Sequence, residues 1–153
     1  MPVLGYKELS TQLKAMGTSV GGKTLRAAAM SAMLPALRAA QAAAPVADPP
    51  YVYDGVSKDP YPKRTYKGRL VAPGFAKRNV ARKAVVSKDK TKVNIMLGVK
   101  QEAFYAVQFI ELGTSRIPKR PWLEPAFRAS LESVDERLKE QLKRRIDLAA
   151  KKK

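Results

Sequence analysis

The chain has 153 residues and a mass of 16.8 kDa, a length typical of one domain. Thirty Lys and Arg against thirteen Asp and Glu give a net charge of +17, and residues 51–100 hold thirteen of the basic side chains but only three acidic ones. Because Cys and His are absent, the sequence excludes disulfides, Cys/His zinc sites, a Cys nucleophile and an imidazole base, which favours a binding or assembly protein over an enzyme.

The N-terminal part predicts two helices and no targeting segment. The first ten residues lack a basic region followed by an apolar one, so we expect no signal peptide. Residues 4–16 have helical apolar spacing, and residues 17–22 are expected to break it. An alanine-rich helix follows over about residues 24–44, kinked at Pro35. It is too interrupted by polar residues to span a bilayer, so we expect a soluble protein without a membrane partner.

Residues 17–24 match the phosphate-binding pattern G-x-x-x-x-G-K-[ST], with Lys23 and Thr24 in the phosphate and magnesium positions. That loop normally follows a buried strand, whereas the residues before it are polar and helix-like. A turn between helices explains the same glycines. A nucleotide enzyme is therefore the least favoured hypothesis, and we predict no catalytic residue, cofactor or metal.

Residues 46–67 predict a long loop or arm inserted within a single domain of residues 1–153, because the segment is rich in prolines and tyrosines and its apolar residues have no regular spacing. Tyrosines can stack on bases while Lys and Arg neutralise phosphates, but a basic loop can equally be solvated or bind an acidic protein surface. The candidate contacts to DNA or to a partner protein are Tyr51, Tyr53, Lys58, Tyr61, Lys63, Arg64, Tyr66, Lys67 and Arg69.

Strands are predicted after the arm. Residues 69–71 form a short strand that ends at Pro73-Gly74, and residues 80–86 and 91–99 form a hairpin around residues 87–90. In the second of these, apolar and polar residues alternate, which is typical of a sheet with one covered face. Lys83, Lys92 and Lys100 are expected to point outward or to protect an edge of the sheet.

The C-terminal segment predicts one long helix from Leu123 to Ala149, with residues 151–153 as a frayed tail. Its apolar residues recur about every 3.7 positions, which favours a helix docked on a sheet over a coiled coil. The predicted fold class is therefore α+β: a small antiparallel sheet with a hairpin, packed by the kinked alanine-rich helix and the long C-terminal helix.

Glu111 is the one carboxylate that lies within an apolar run. A lone acid without a partner is poorly suited to hydrolysis. We expect it instead to accept hydrogen bonds from the backbone of the turn over residues 113–115, where Gly113 permits a positive φ.

Five short elements in this order resemble a known family. They are Ala44-Pro45, Gly68-Arg69-Leu70, Phe104-Tyr105-Ala106, Glu111-Leu112-Gly113-Thr114 and Pro121-Trp122-Leu123-Glu124-Pro125-Ala126. The chain thereby resembles the tail-completion (neck, or minor tail component) family of long-tailed bacteriophages. It departs from the family's pattern in the 22 residues of the arm, residues 46–67, where the family usually has only a few.

The resemblance implies a structural virion protein that forms a ring, typically a hexamer, and assembles in the host cytoplasm. The ring would join head-closure (stopper) proteins to the tail terminator and tube, with genome DNA in its lumen. Trp122, Leu123 and Phe127 would anchor the C-terminal helix on the sheet, and Pro121 and Pro125 would suit its first turn. Glu111, Gly113 and Thr114 would hold the turn that aims this helix, and the arm would reach a neighbouring subunit or ring.

The positive charge leaves two hypotheses open. A lumen lined with Lys and Arg would grip the DNA, so we expect most of the charge to face acidic patches on partner rings and a minority to contact DNA non-specifically. The alternative is a basic nucleic-acid-binding protein of ribosomal or nucleoid type, which would bind DNA or RNA as a monomer with strong salt dependence.

Overall fold

The computed structural model describes residues 6–15, 18–47, 49–53, 69–88 and 92–150. These residues form an α+β fold with two small antiparallel sheets of two strands each, which confirms the predicted fold class. The elements are α1 (Tyr6–Ala15), α2 (Thr18–Ala32), α3 (Leu34–Ala43), β1 (Tyr51–Tyr53), β2 (Arg69–Val71), α4 (Phe75–Asn79), β3 (Val80–Val86), β4 (Val93–Val99), α5 (Gln101–Leu112), α6 (Leu123–Ala129) and α7 (Leu131–Ala150).

The residues cluster into two compact units, each built from separate stretches of chain. Unit 1 comprises Met1–Arg38, Arg82–Leu97 and Phe127–Lys153, and unit 2 comprises Ala39–Ala81 and Gly98–Ala126. The single domain over residues 1–153 stays a prediction, and the predicted frayed tail, residues 151–153, lies outside the described residues. None of the described helices combines the length and the apolar character that crossing a membrane requires.

The core of unit 1 is a helix pair, α2 against α7, with α1 packed on both. Ala28 and Ala32 of α2 are buried, as are Leu142 and Ile146 of α7. Small alanine side chains let the two helix backbones approach closely. The expectation that the long C-terminal helix docks mainly on a sheet is therefore wrong, since α7 makes its most extensive contacts with α2.

Polar contacts fix the ends of these helices. The guanidinium of Arg82 donates to the carbonyl of Met30, and Arg137 Nε donates to the carbonyl of Ser31 at 3.2 Å. Both carbonyls lie in the last turn of α2, where cationic donors are favourable. The Tyr6 hydroxyl donates to Asp135 Oδ1 at 2.7 Å and joins α1 to α7. Burial, this hydrogen bond and the charge of Asp135 raise the pKa of Tyr6 to about 12.

The alanine-rich segment differs from the single kinked helix that the sequence predicts. It is divided into α2 and α3 at Met33, and Pro35 is the second residue of α3, where a missing N–H costs little. Met33 N–H still bonds the carbonyl of Ala29, and Leu37 N–H bonds that of Met33. The predicted turn over residues 17–22 is wrong for residues 18–22, because α2 already begins at Thr18.

The sheet of unit 2 is a pairing that the sequence predicts only in part. β2 is confirmed at residues 69–71, but Tyr51 and Tyr53 belong to β1 rather than to a loop. The two strands are antiparallel, with Tyr51 opposite Val71, Val52 opposite Leu70 and Tyr53 opposite Arg69. Tyr-Val-Tyr has high strand propensity, and the neighbouring prolines conceal this signal in the sequence.

The hairpin of β3 and β4 is confirmed and forms the second sheet. Just after β3 ends and just before β4 begins, Ser87 N–H donates to the carbonyl of Lys92 at 2.9 Å. Along β4, Val93, Ile95 and Leu97 are half-buried whereas Asn94 and Met96 are exposed, as the alternation predicts. The side chains of Lys83, Lys92 and Lys100 are exposed, as predicted.

The predicted continuous helix over residues 123–149 is wrong, because α6 ends at Ala129 and α7 begins at Leu131. Buried Ser130 separates them, and its N–H bonds the carbonyl of Phe127, three residues back instead of four. The apolar spacing continues unchanged across Ser130, so the sequence pattern carries no sign of this tightened turn.

Candidate assembly site

The site begins where α5 ends, at Gly113. Gly113 has φ 75° and ψ 169°, a region of the backbone map that is essentially restricted to glycine. A Cβ at this position would lie 2.9 Å from the backbone nitrogen of Lys119. The predicted positive φ is confirmed, and the close approach of residue 119 is a second reason for glycine here.

Thr114 closes the turn that follows. Its N–H donates to the carbonyl of Ile117 at 2.8 Å, and its Oγ1 accepts from the N–H groups of Arg116 and Ile117 at 3.2 and 3.0 Å. Arg120 N–H then donates to the carbonyl of Ile110 at 2.8 Å. These bonds form a turn after Gly113 and hold the exposed loop against the end of α5.

Glu111 connects this turn to the next helix. Its Oε2 accepts from the N–H groups of Trp122 at 2.7 Å and Leu123 at 3.0 Å, and its Oε1 accepts from that of Glu124 at 3.1 Å. The prediction that Glu111 accepts hydrogen bonds from the backbone of residues 113–115 is therefore wrong. Glu111 instead satisfies the N–H groups at the start of α6, which have no partner within their own helix. Because its partners lie eleven to thirteen residues ahead, no local pattern could have indicated them.

Two opposing effects act on the pKa of Glu111. Partial burial raises it, but the three backbone N–H bonds and the charge of Lys119 together lower it below the ordinary value of 4.5. The carboxylate is therefore ionised at neutral pH. A negative charge at a helix N-terminus is favourable, because the aligned peptide dipoles place partial positive charge there.

The residues expected to anchor the C-terminal helix have different environments. Trp122 is only 7% exposed and precedes α6, while Leu123 and Phe127 of α6 are half-buried. Pro125 lies in the first turn of α6, as predicted. Pro121 is exposed and lies two residues before α6 begins at Leu123, so the prediction that it lies in the first turn of the helix is wrong.

An apolar groove of about 310 Å³ lies beside the site in unit 2. We call it the α5 groove. It is lined by Gly98, Val99, Phe104, Val107, Gln108, Glu111, Leu112, Trp122 and Leu123. Phe104 is 52% exposed and Leu112 69% exposed, and with Gln108 they follow one another at four-residue intervals along one face of α5. This spacing is the signal from which the sequence could have predicted an apolar helix face.

Trp122 also contains an unsatisfied polar atom. Its Nε1 is buried, and no acceptor for it lies within the part of the chain that the structure describes. Buried donors normally have an acceptor, and one without costs free energy. Trp122 is the only tryptophan of the chain, and it lines the α5 groove.

The structure brings together only part of the predicted arm contacts. Tyr51 and Tyr53 lie in β1 and Arg69 in β2, with Tyr53 opposite Arg69. The remaining candidates lie outside the described residues: Lys58, Tyr61, Lys63, Arg64, Tyr66 and Lys67.

The phosphate-loop pattern does not have the surroundings that its chemistry requires. Residues 18–24 form the first turns of α2, and helix α1 precedes them instead of a strand. Within the described ranges, no three carboxylates come together in a way that could hold a metal ion. The candidate site itself is a hydrogen-bonded turn beside an apolar groove.

No family model, curated protein or solved structure matches this chain in sequence or fold.

Proposed function

We propose that this protein is a structural component of a phage head–tail connector, a tail-completion ring that joins head-closure proteins to the tail terminator and tube. The observation that supports the proposal is the contact between the two most specific motifs of the resemblance. Glu111 of the Glu-Leu-Gly-Thr segment accepts hydrogen bonds from Trp122, Leu123 and Glu124 of the Pro-Trp-Leu-Glu-Pro-Ala segment.

This arrangement is suited to assembly. The loop of residues 114–121 is exposed along its whole length, yet hydrogen bonds within it and to α5 fix its backbone. A surface fixed before binding loses little conformational freedom on association. Large apolar side chains exposed on α5 next to this loop are typical of an interface with another protein.

In the proposed virion, identical copies form a closed ring, a hexamer by the resemblance, and the genome passes through it without sequence-specific contacts. Most of the positive charge faces acidic surfaces of the neighbouring rings, since a strongly basic lumen would bind the DNA and slow its exit.

Genetic complementation tests the proposal. In a phage that encodes this chain, its deletion is expected to leave filled heads and finished tails unjoined, and the wild-type chain supplied in the host restores joined particles. Glu111→Ala is expected to restore few particles, whereas Glu102→Ala, which removes an exposed carboxylate from the same helix, restores them normally.

Negative-stain images of the purified protein provide a second test of the proposed function. Closed rings with an open lumen are the expected result. A monomer that is absent from particles and binds DNA or RNA tightly, with strong salt dependence, would instead support the basic nucleic-acid-binding protein.

A further inference from the structure

The loop between α5 and α6 is a basic surface. Over residues 114–121 it carries Arg116, Lys119 and Arg120 and no carboxylate, and every residue of this range is exposed. We call it the basic loop. None of the three cations forms an ion pair with a carboxylate of the described residues. Their charges can therefore act on an anionic partner that approaches from the solvent.

Two carboxylates flank the basic loop along the chain. Glu111 precedes it and accepts three backbone N–H groups at the start of α6, and the charge of Lys119 helps to lower its pKa. Glu124 follows the loop and is exposed on α6. The segment thus holds three cations and two carboxylates, and one of these carboxylates is already hydrogen-bonded through both oxygens. The surface of the loop itself is positive.

Apolar side chains lie next to these charges. Ile117, within the loop, is 44% exposed, and Leu112, at the end of α5 that the loop follows, is 69% exposed. Leu112 also lines the α5 groove with Phe104, about 12 Å away along the helix. Protein interfaces combine an apolar centre with a polar rim, whereas a phosphate backbone gains nothing by covering apolar side chains. The combination therefore favours a protein partner over a nucleic acid.

We propose that the basic loop and the α5 groove together bind an acidic segment of another protein. Apolar side chains of this segment enter the groove, and its carboxylates face Arg116, Lys119 and Arg120. This contact deepens the proposed function, on which it rests where the partner is taken to be a neighbouring ring protein. Hydrogen bonds fix the loop backbone before binding, so association needs no further ordering of that backbone.

A second copy of this chain is less suited to be the partner. The exposed carboxylates Glu132, Glu136 and Glu140 form a row along α7, but Lys143 and Arg144 are exposed directly after them on the same helix. Two chains with a net charge of +17 also repel each other. A protein with net negative charge avoids both disadvantages.

Peptide binding to the full chain tests the contact. The probe is a fluorescein-labelled amphipathic peptide of about twelve residues, with leucines on one face and glutamates beside them, and its affinity is measured by fluorescence anisotropy. Combining Arg116→Ala with Arg120→Ala, which keeps both backbone N–H groups, is expected to weaken binding about tenfold or more. Combining Lys23→Ala with Arg26→Ala removes the same charge from exposed side chains of α2 and should change the affinity far less.

The apolar part of the contact is tested with the same probe. Leu112→Ser should weaken binding about tenfold, because the leucines of the peptide lose their apolar partner. Leu148→Ser, at a leucine that is 52% exposed on α7, is the matched control and should leave the affinity unchanged. Both leucines are exposed, so neither change is expected to alter the circular dichroism spectrum.

Two results would identify a different partner and overturn the proposal. A short labelled duplex DNA could lose affinity in the double arginine variant while Leu112→Ser leaves both DNA and peptide binding unchanged, and the surface would then bind phosphates. Sedimentation could instead show that the double arginine variant no longer self-associates although it binds the peptide normally. The surface would then be a contact between copies of this chain.

The complementation assay separates this contact from the proposed function. The double arginine variant is expected to give few joined particles although its purified rings look normal. Normal joining together with unchanged peptide affinity would overturn the contact and leave the proposed function standing. A wild-type chain that binds the peptide as expected but never enters particles would overturn the proposed function and leave the contact standing.

Discussion

The Glu111 carboxylate connects the end of α5 to the start of α6 through hydrogen bonds to three consecutive backbone N–H groups. The intervening loop is further held by Thr114 and by the bond from Arg120 to Ile110. One side chain thus performs the role of an N-cap from a distance, and it fixes the direction in which α6 leaves the loop.

Glu111→Ala is expected to lower the free energy of unfolding by about 1–2 kcal/mol, because three N–H groups lose their acceptor. Urea denaturation monitored by circular dichroism measures the effect. Glu102→Ala should cost less than about 0.5 kcal/mol, because this carboxylate is exposed and water screens its interaction with the helix dipole. Equal losses of unfolding free energy in the two variants would contradict the capping role of Glu111.

The contribution of Glu111 should also depend on pH. Its folded-state pKa lies below the ordinary value of 4.5, so the ionised carboxylate stabilises the folded state. That stabilisation is complete above pH 4.5 and is lost as the pH falls through the lower, folded-state pKa. The difference in unfolding free energy between wild type and Glu111→Gln should therefore shrink in acid. A difference that stays constant down to about pH 2 would show that the charge is not responsible.

Gly113→Ala should lower the unfolding free energy by about 1–3 kcal/mol, since alanine is strained at φ 75° and its Cβ would meet the backbone of Lys119. Thermal denaturation of the purified variants measures the loss. Gly98→Ala is the matched control, because no atom lies within 4 Å of a Cβ there. Similar losses at both glycines would mean that strain at Gly113 is not the cause.

At the scale of elements, strands were predicted better than helices. The alternation along β4 and the turn residues after β3 are local signals, and both strands of that hairpin are where the sequence places them. Helix α5 was not predicted, because apart from Tyr105 its buried residues are the small Ala103, Ala106 and Val107, whereas its bulky Phe104 and Phe109 point outward. The most hydrophobic side chains therefore indicate the wrong face.

The close contact of α2 with α7 depends on small side chains. Ala32→Leu is expected to cost about 1–3 kcal/mol, because a larger side chain at this buried position forces the surrounding helices apart. Chemical denaturation measures the loss, with Ala42→Leu on the exposed face of α3 as the control. An Ala32→Leu protein as stable as the wild type would mean that residue 32 has room for a larger side chain.

For the whole molecule, the net charge of +17 was readable from the sequence, but its distribution over the surface was not. The candidate site was likewise predictable from the sequence only in part. Gly113 and Thr114 were identified as turn residues from the sequence, and Trp122 and Pro125 from the family resemblance, whereas the partners of Glu111 depend on how the chain folds back on itself.

Replacing four basic arm residues with alanine tests the role of this charge. The change of Lys58, Lys63, Arg64 and Lys67 lowers the net charge from +17 to +13. We expect an unchanged free energy of unfolding and fewer joined particles in the complementation assay, because the family resemblance implies that the arm contacts partner proteins. The control removes the same charge from the exposed side chains of Lys23, Arg26, Lys143 and Arg144. If both variants join fewer particles to the same extent, the total charge is responsible and not the arm, and if neither variant loses particles, the predicted role of the arm is wrong.

The pairing of Tyr53 with Arg69 has a consequence for how this protein can vary or be engineered. Paired residues of an antiparallel ladder hold their Cα atoms about 5 Å apart, whatever number of residues connects them. Doubling the length of such a connection costs only about 0.6 kcal/mol. An epitope tag or a fluorescent label inserted between β1 and β2 is therefore expected to leave the pairing of the two strands intact.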